Sequence, residues 1–173
     1  MVPIFTMKLI RANEFQVHEI WEILRKAILR RKSEGSRQWQ DGYPNPEIIQ
    51  DDIVTRSGYV AIEKRQLIAY VCLKINDEPA YAELEGKWLS NSDFVVIHRL
   101  AVAEDRLGQG IATAIFHSIE DFARKKNIQS IKIDTNFDNY PMLRLLGNMG
   151  YSYCGKVYFR ESQRKAYEKI LFR

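Results

Sequence analysis

EDRLGQGIATAIF, residues 104–116, sets Gly108 and Gly110 one residue apart, immediately before an apolar helical pattern. The run leading into it, FVVIHRLAV at 94–102, is nearly continuously apolar, as a buried central strand requires. A strand, a glycine turn and a helix start together make an anion site. The first amides of a helix have no helical acceptor, and the helix dipole favours negative charge. Gly108 and Gly110 carry no side chain to block a phosphate, and Ala112 is the next smallest residue. A plain strand-to-helix turn is the competing reading of the glycine spacing taken alone.

Outward from this turn the periodicities are clear. Ile111, Ile115, Ile119 and Phe122 share one face of a helix that ends near Lys126–Asn127. SIKIDTN (130–136) alternates as a strand. Residues 140–149 read as a short helix with Pro141 in its first turn, core-facing Met142, Leu145, Leu146 and Met149, and Gly150 at its end. Two closing strands span about 151–159 and 165–172. Upstream, MKLIRA (7–12) is a strand, and Asn13 with Gln16 forms a capping box for a helix over 14–33. SEGSRQWQDGYPNP is loop, 46–56 a second helix, and 59–63 and 67–75 a hairpin turning at Lys64–Gln66. Residues 77–93 form a longer polar connection holding Trp88. The order β-α-α-β-β-β-α-β-α-β-β specifies a mixed α/β sheet flanked by helices, in one domain over 1–173.

Composition narrows the classes. The net charge of +4 is mild, and its basic clusters, Arg25–Arg37, Arg124–Lys126 and Arg160–Lys165, lack the interleaved aromatics of a nucleic-acid groove. Scattered basic clusters suit a polyanionic small molecule better. No apolar stretch approaches the ~20 residues of a membrane span, and MVPIFTMKLIRANEF is a poor signal peptide. Cys72 and Cys154 lack metal-like spacing and read as reduced thiols of a cytoplasmic protein, with no metal site expected.

Three anions compete for the turn. A P-loop needs Lys-Ser/Thr after its last glycine, and Gly110 is followed by Ile111. A dinucleotide fold would use Gly108, Gly110 and Asp134. However, Ala103–Leu107 separates the strand from the glycines, and only 39 residues follow Asp134. The third anion is the pyrophosphate of coenzyme A. Leu107-Gly108-Gln109-Gly110-Ile111-Ala112 resembles the Arg/Gln-x-x-Gly-x-Gly/Ala turn of the GNAT superfamily of N-acetyltransferases. LAV before the turn and N-x-x-M-x-x-L with GNMGY after it are similar to that family too, and the element order agrees along nearly the whole chain. Leu107 departs from the usual Arg or Gln, with Arg106 one residue early. Binding through backbone amides makes the loss small.

The resemblance implies a GNAT-like acyl-CoA N-acyltransferase fold with acetyl-CoA as cofactor. It implies an N-acetyltransferase that acts on a primary amine of a small molecule or peptide, by direct attack in a ternary complex. Residues 107–113 (Leu107, Gly108, Gln109, Gly110, Ile111, Ala112, Thr113) would hold the pyrophosphate. Leu100, Ala101 and Val102 would pair with the pantetheine arm through their backbone, Leu100 N–H bonding the thioester carbonyl. Asn139 and Met142 would contact the same arm. The family's central strand carries a bulge and splays from its parallel neighbour, here 94–102 from 130–136. His98 is the candidate base, with an ordinary pKa of ~6.5 suited to neutral pH. Glu83, Glu85 or Asp93 acting through water is the alternative. Leu146 stands where many relatives carry a tyrosine acid, leaving Tyr140, Tyr153 or Cys154 to substitute. Trp39 and Tyr43 either grip the acceptor or plug the sheet, and Glu85 would attract a cationic amine. A coenzyme A sensor without turnover and, more weakly, a nicotinamide-dependent enzyme are the other readings. Partners expected are the amine acceptor and a second copy of the chain, with no nucleic acid and no membrane.

Overall fold

Helix α1 begins where its capping residues place it. In the computed structural model, which describes residues 6–160 and 162–172, the Phe15 amide donates to Asn13 Oδ1 and the Asn13 amide to Gln16 Oε1, both at 3.0 Å. A 3-10 turn at Glu14–Gln16 runs into α1, Val17–Ser33. Its inner stripe is Ile20, Ile23, Leu24 and Ala27, at helical spacing. Helix α2, Pro46–Val54, starts with proline in its first turn and an Asn45 cap on the Ile48 amide. It stops two residues short of the expected Arg56, which instead adopts φ 60 just past the helix end.

The strands are β1 (Lys8–Arg11), β2 (Gly58–Glu63), β3 (Gln66–Ile75), β4 (Glu85–Gly86), β5 (Phe94–Val102), β6 (Ser130–Thr135), β7 (Ser152–Phe159) and β8 (Ser162–Ile170). Helices α3 (Ile111–Lys125) and α4 (Tyr140–Asn148) complete the set. The fold is mixed α/β, one eight-stranded sheet in the order β1-β2-β3-β5-β6-β8-β7-β4 with flanking helices. The parallel pair β5/β6 is joined through α3, because parallel neighbours need a crossover.

The chain divides into two compact units. In the first, Met1–Leu73 with Arg99–Ser118, β2 pairs antiparallel with both β1 and β3. Lys64 and Arg65 turn the β2–β3 hairpin at φ 49 and 66, the paired positive φ of a two-residue hairpin turn. Ile20, Leu24, Ile49, Val60, Tyr70 and Ala101 form its core.

In the second unit, Lys74–His98 with Ile119–Arg173, β8 pairs antiparallel with both β6 and β7. Tyr81, Val96, Val157 and Ala166 are packed together there. Strand β4 and a 3-10 turn at Pro79–Glu83 lie in the segment read from sequence as a polar connection. A two-residue strand has no periodicity to read. What makes it is the facing of Gly86 and Gly155 across β4 and β7. A Cβ on Gly86 would lie 2.0 Å from the Cys154 carbonyl oxygen, and one on Gly155 2.2 Å from that of Glu85. The last strand also begins at Ser162, three residues earlier than its alternation suggested.

In α4, Leu146 is fully buried, Met149 buried, and Met142 only half-buried. Leu146→Ala should cost about 2–5 kcal/mol, the range for a buried leucine that leaves a cavity, read as a lower urea midpoint at unchanged slope.

Candidate active site

The glycine turn has the backbone its sequence demands. Gly108 and Gly110 sit at φ 72 and 79, a region only glycine enters without strain. Between them Gln109 is tied back to the turn, accepting from Arg106 Nε at 2.9 Å and donating to the Asp105 carbonyl at 3.1 Å. Arg106 in turn pairs with Glu63, so the basic residue lying one position early is spent on the scaffold. Helix α3 starts at Ile111, and its first bond runs from the Ala114 amide to the Gly110 carbonyl at 3.0 Å. The amides of 111–113 therefore precede the helical ladder. A Cβ placed on Gly108 would meet nothing within 4 Å. Residues 107–110 and Thr113 are exposed while Ile111 is buried, so this turn is an open cradle of amides anchored by one apolar side chain. It fits a diphosphate.

Eight residues upstream of Leu107, β5 changes its backbone. Its parallel register with β6 runs from Phe94↔Ser130 to Ile97↔Ile133. Arg99 then takes φ 52 within the strand, a left-handed conformation that costs an ordinary residue about 1–3 kcal/mol. β5 therefore leaves regular strand geometry at Arg99, within the strand for which the family resemblance implies a bulge. The Arg99 side chain is buried in the first unit. Arg99 Nε donates to Asp52 Oδ2 at 3.0 Å and Nη2 to Oδ1 at 2.5 Å. Nη1 donates to the Tyr43 hydroxyl, and the guanidinium lies 5.6 Å from that ring's centre. Tyr70 also donates to Asp52, at 2.5 Å, and burial first, then the carboxylate, push its hydroxyl pKa up. Asp52 is 2 % exposed, so this is a buried ion pair with its lone pairs satisfied. Beyond it, Leu100 is half-buried and Ala101 and Val102 are buried.

His98 belongs to the second unit. Its Nε2 lies 3.0 Å from Glu78 Oε2. Glu78 is held in turn by the Ala80 amide on Oε1 at 3.2 Å. Burial raises the Glu78 pKa, but the hydrogen bond from His98 and its charge outweigh that, and the net shift is downward. With Nε2–H engaged, Nδ1 is the nitrogen that can accept a proton. Nearby Asp134 accepts from the Tyr81 hydroxyl at 2.7 Å and sits 3.7 Å from Arg164 Nη1. Burial pushes its carboxyl up, against the pull of His98, Tyr81 and Arg164.

The other expected residues are dispersed. Asn139 caps α4, accepting from the Met142 amide at 3.4 Å, and Tyr140 stands 68 % exposed in the first turn. Leu146, at the family's tyrosine position, is core. Trp39 packs against the first unit's apolar cluster, and Tyr43 is held by Arg99. Glu85 is exposed and accepts from Tyr158, and Asp93 accepts from Asn76. Cys72 and Cys154 are both buried and are not joined in a disulfide. Sequence reasoning missed Glu78, Arg99 and Asp52. A Glu before Pro79 is a turn-start signal that was open to reading. Nothing in the spacing of 52 and 99 announces their pairing.

Comparison with known proteins agrees with this geometry. Residues 18–151 match the family model described as Acetyltransferase (GNAT) family. A GNAT acetyltransferase from Streptococcus agalactiae is 32% identical, covering 96% of each chain with a TM-score of 0.88. A putative acetyltransferase from Staphylococcus aureus, 21% identical over 95% of this chain and 99% of its own, has a TM-score of 0.72. One from Salmonella typhimurium, solved with its cofactor acetyl-CoA, is 16% identical at a TM-score of 0.69, over 96% of this chain and 95% of its own. No curated protein matched. Among the described residues no helix is long and apolar enough to cross a membrane.

The Arg99–Asp52 pair is open to a double-mutant cycle. Asp52→Ala should cost about 3–5 kcal/mol in denaturant unfolding by stranding a buried guanidinium. Asp52→Leu with Arg99→Met should cost less than the sum of the two single changes. Simple additivity would show that the two side chains do not support one another.

Proposed function

The chain belongs to the GNAT family of acetyltransferases, and on that premise we propose that it acetylates a primary amine of a small molecule or peptide, by direct attack in a ternary complex. Acetyl-CoA-dependent acyl transfer is the family's reaction and acetyl-CoA its cofactor. When bound, the cofactor supplies an activated acetyl thioester. The amides of Leu107 to Thr113 would hold its pyrophosphate, and Ala101 and Val102 the pantetheine arm, with Asn139 and Met142 as further contacts. The Leu100 amide would donate to the thioester carbonyl oxygen, a donor of the kind worth ~3–4 kcal/mol. His98, its Nε2–H held by Glu78, receives the proton of the attacking amine at Nδ1. Tyr140 is the hydroxyl proposed to protonate the departing sulfur.

One observation carries this reading: a strand with a positive-φ residue at Arg99 is followed, nine residues later, by an open glycine cradle at a helix start. Leu146, standing where many relatives carry a tyrosine acid, supports a second reading, a coenzyme A sensor without turnover.

Thiol release from acetyl-CoA across an amine panel separates the two. We expect release, and a fall of about 10²–10⁴-fold in kcat/KM for His98→Ala, the span of a general base. Binding with no release for any amine favours the sensor. Gly110→Asp places a side chain at φ 79 and a like charge beside the phosphates. It should abolish coenzyme A binding in calorimetry while the far-ultraviolet dichroism stays unchanged. Retained affinity would remove the basis of the assignment.

A further inference from the structure

Within the second unit a cavity of about 450 Å³ opens beneath residues 76–92, a size that suits a small molecule. Glu78, Tyr81, Trp88, Ser90, Phe94 and Lys132 are among its lining residues. The aromatic wall is preformed. Trp88 Nε1 donates to the Tyr81 carbonyl at 3.0 Å, and the Tyr81 and Trp88 rings lie 5.1 Å apart.

Lys132 is the anomaly. It lies on β6, is only 4 % exposed, and faces this cavity. Its ammonium rests over the rings of Trp88 and Phe94, at 4.3 and 4.0 Å from their centres. Among the described residues its ammonium makes no hydrogen bond, and the charge that acts on it through space is that of the Glu168 carboxylate. Its cross-strand neighbour Glu168 would be the natural counter-ion. That carboxylate is already occupied. Oε2 accepts from the Leu89 amide at 2.5 Å, and Oε1 from Ser90 Oγ and Ser130 Oγ, each at 2.7 Å. Rings attract a cation but accept none of its three N–H bonds in the way an oxygen does. The ammonium opens onto the cavity, where burial pulls its pKa down, against the opposing pull of the Glu168 carboxylate and Cys154. An oxygen anion inside the cavity would complete it.

We propose that this cavity seats a small molecule bearing a carboxylate on a flat apolar body, with the carboxylate on Lys132 and the body against Trp88 and Phe94. One ammonium balances one negative charge, which favours a carboxylate. The cavity wall also includes Glu78, the residue that holds His98. On the transfer reading, on which this last step rests, the bound molecule is the acceptor. Its amine lies toward Glu78, so that an amino acid-like molecule is matched at both ends, by opposite charges.

The test uses the full chain and two amines, 4-(aminomethyl)benzoate and 4-methylbenzylamine, which lacks the carboxylate. We expect kcat/KM to favour the carboxylate by about tenfold or more, the worth of a charge-assisted hydrogen bond. Lys132→Met should bring the ratio to about one, and Lys132→Arg should retain part of it. Independently of any variant, 4-methylbenzoate should bind the wild-type protein without acetyl-CoA, and 4-methylbenzyl alcohol should bind more weakly, in ligand-observed NMR. Thiol release from amines with no carboxylate preference, or a preference that survives Lys132→Met, overturns the cavity proposal and leaves acyl transfer standing. Lys132-dependent binding of 4-methylbenzoate with no release from any amine upholds the carboxylate site and overturns acyl transfer alone.

Discussion

A buried guanidinium holds the central strand out of regular β geometry. Arg99 sits at φ 52, where an unsupported arginine would relax into the strand. Asp52, Tyr43 and Cys72 surround its side chain, with Asp52 gripping it through two nitrogens. Removing a charge from water is costly, and here a planar two-point pairing offsets that cost. The parallel register with β6 ends at Ile97↔Ile133, two residues before Arg99. The strand is core at Val95–Ile97 and again at Ala101.

The second unit uses buried polarity differently. Glu78 bridges a local turn and His98, so one carboxylate both shapes the 77–93 segment and orients the imidazole. Glu168 is fully buried and fastens the same segment through Leu89 and Ser90. Glu78 is satisfied by a backbone amide and His98, and Glu168 by a backbone amide and two hydroxyls. Glu168 keeps its charge and acts on Lys132 through space, without a hydrogen bond between them. The segment read as a polar connection is thus fastened by two carboxylates, and its irregular backbone needs those bonds because it has little ladder of its own.

Recognition through backbone amides, as proposed for this turn, would leave little for a side chain at 107 to add, where Leu107 stands in place of the Arg or Gln that the family resemblance implies. The cradle depends on φ at Gly108 and Gly110 and on the start of α3, and both are backbone properties. Arg106, the nearest basic side chain, is engaged with Glu63 and Gln109. The turn is consequently stiffened from behind, and its front is left to main-chain donors.

Local rules were enough for much of this. The capping box at Asn13–Gln16, the proline starts of α2 and α4, the Lys64–Arg65 hairpin and the glycine cradle were legible because each depends on residues within four or five positions. The element order and the family followed from them. Strand β4 was not legible, since its cause is the approach of Gly86 to Gly155, 69 residues apart in the 173-residue chain. Trp39 and Tyr43 were open between recognition and packing, and their surroundings favour packing for Trp39 and the grip of Arg99 for Tyr43. By itself the sequence determined where backbone must turn and which faces must be buried, because steric limits and periodicity act over a few residues. Tertiary structure alone decided which charges met: Asp52 with Arg99, Glu78 with His98, and Lys132 opposite Glu168 without a hydrogen bond to it. Pairing between buried ions is a through-space event that chain spacing does not encode.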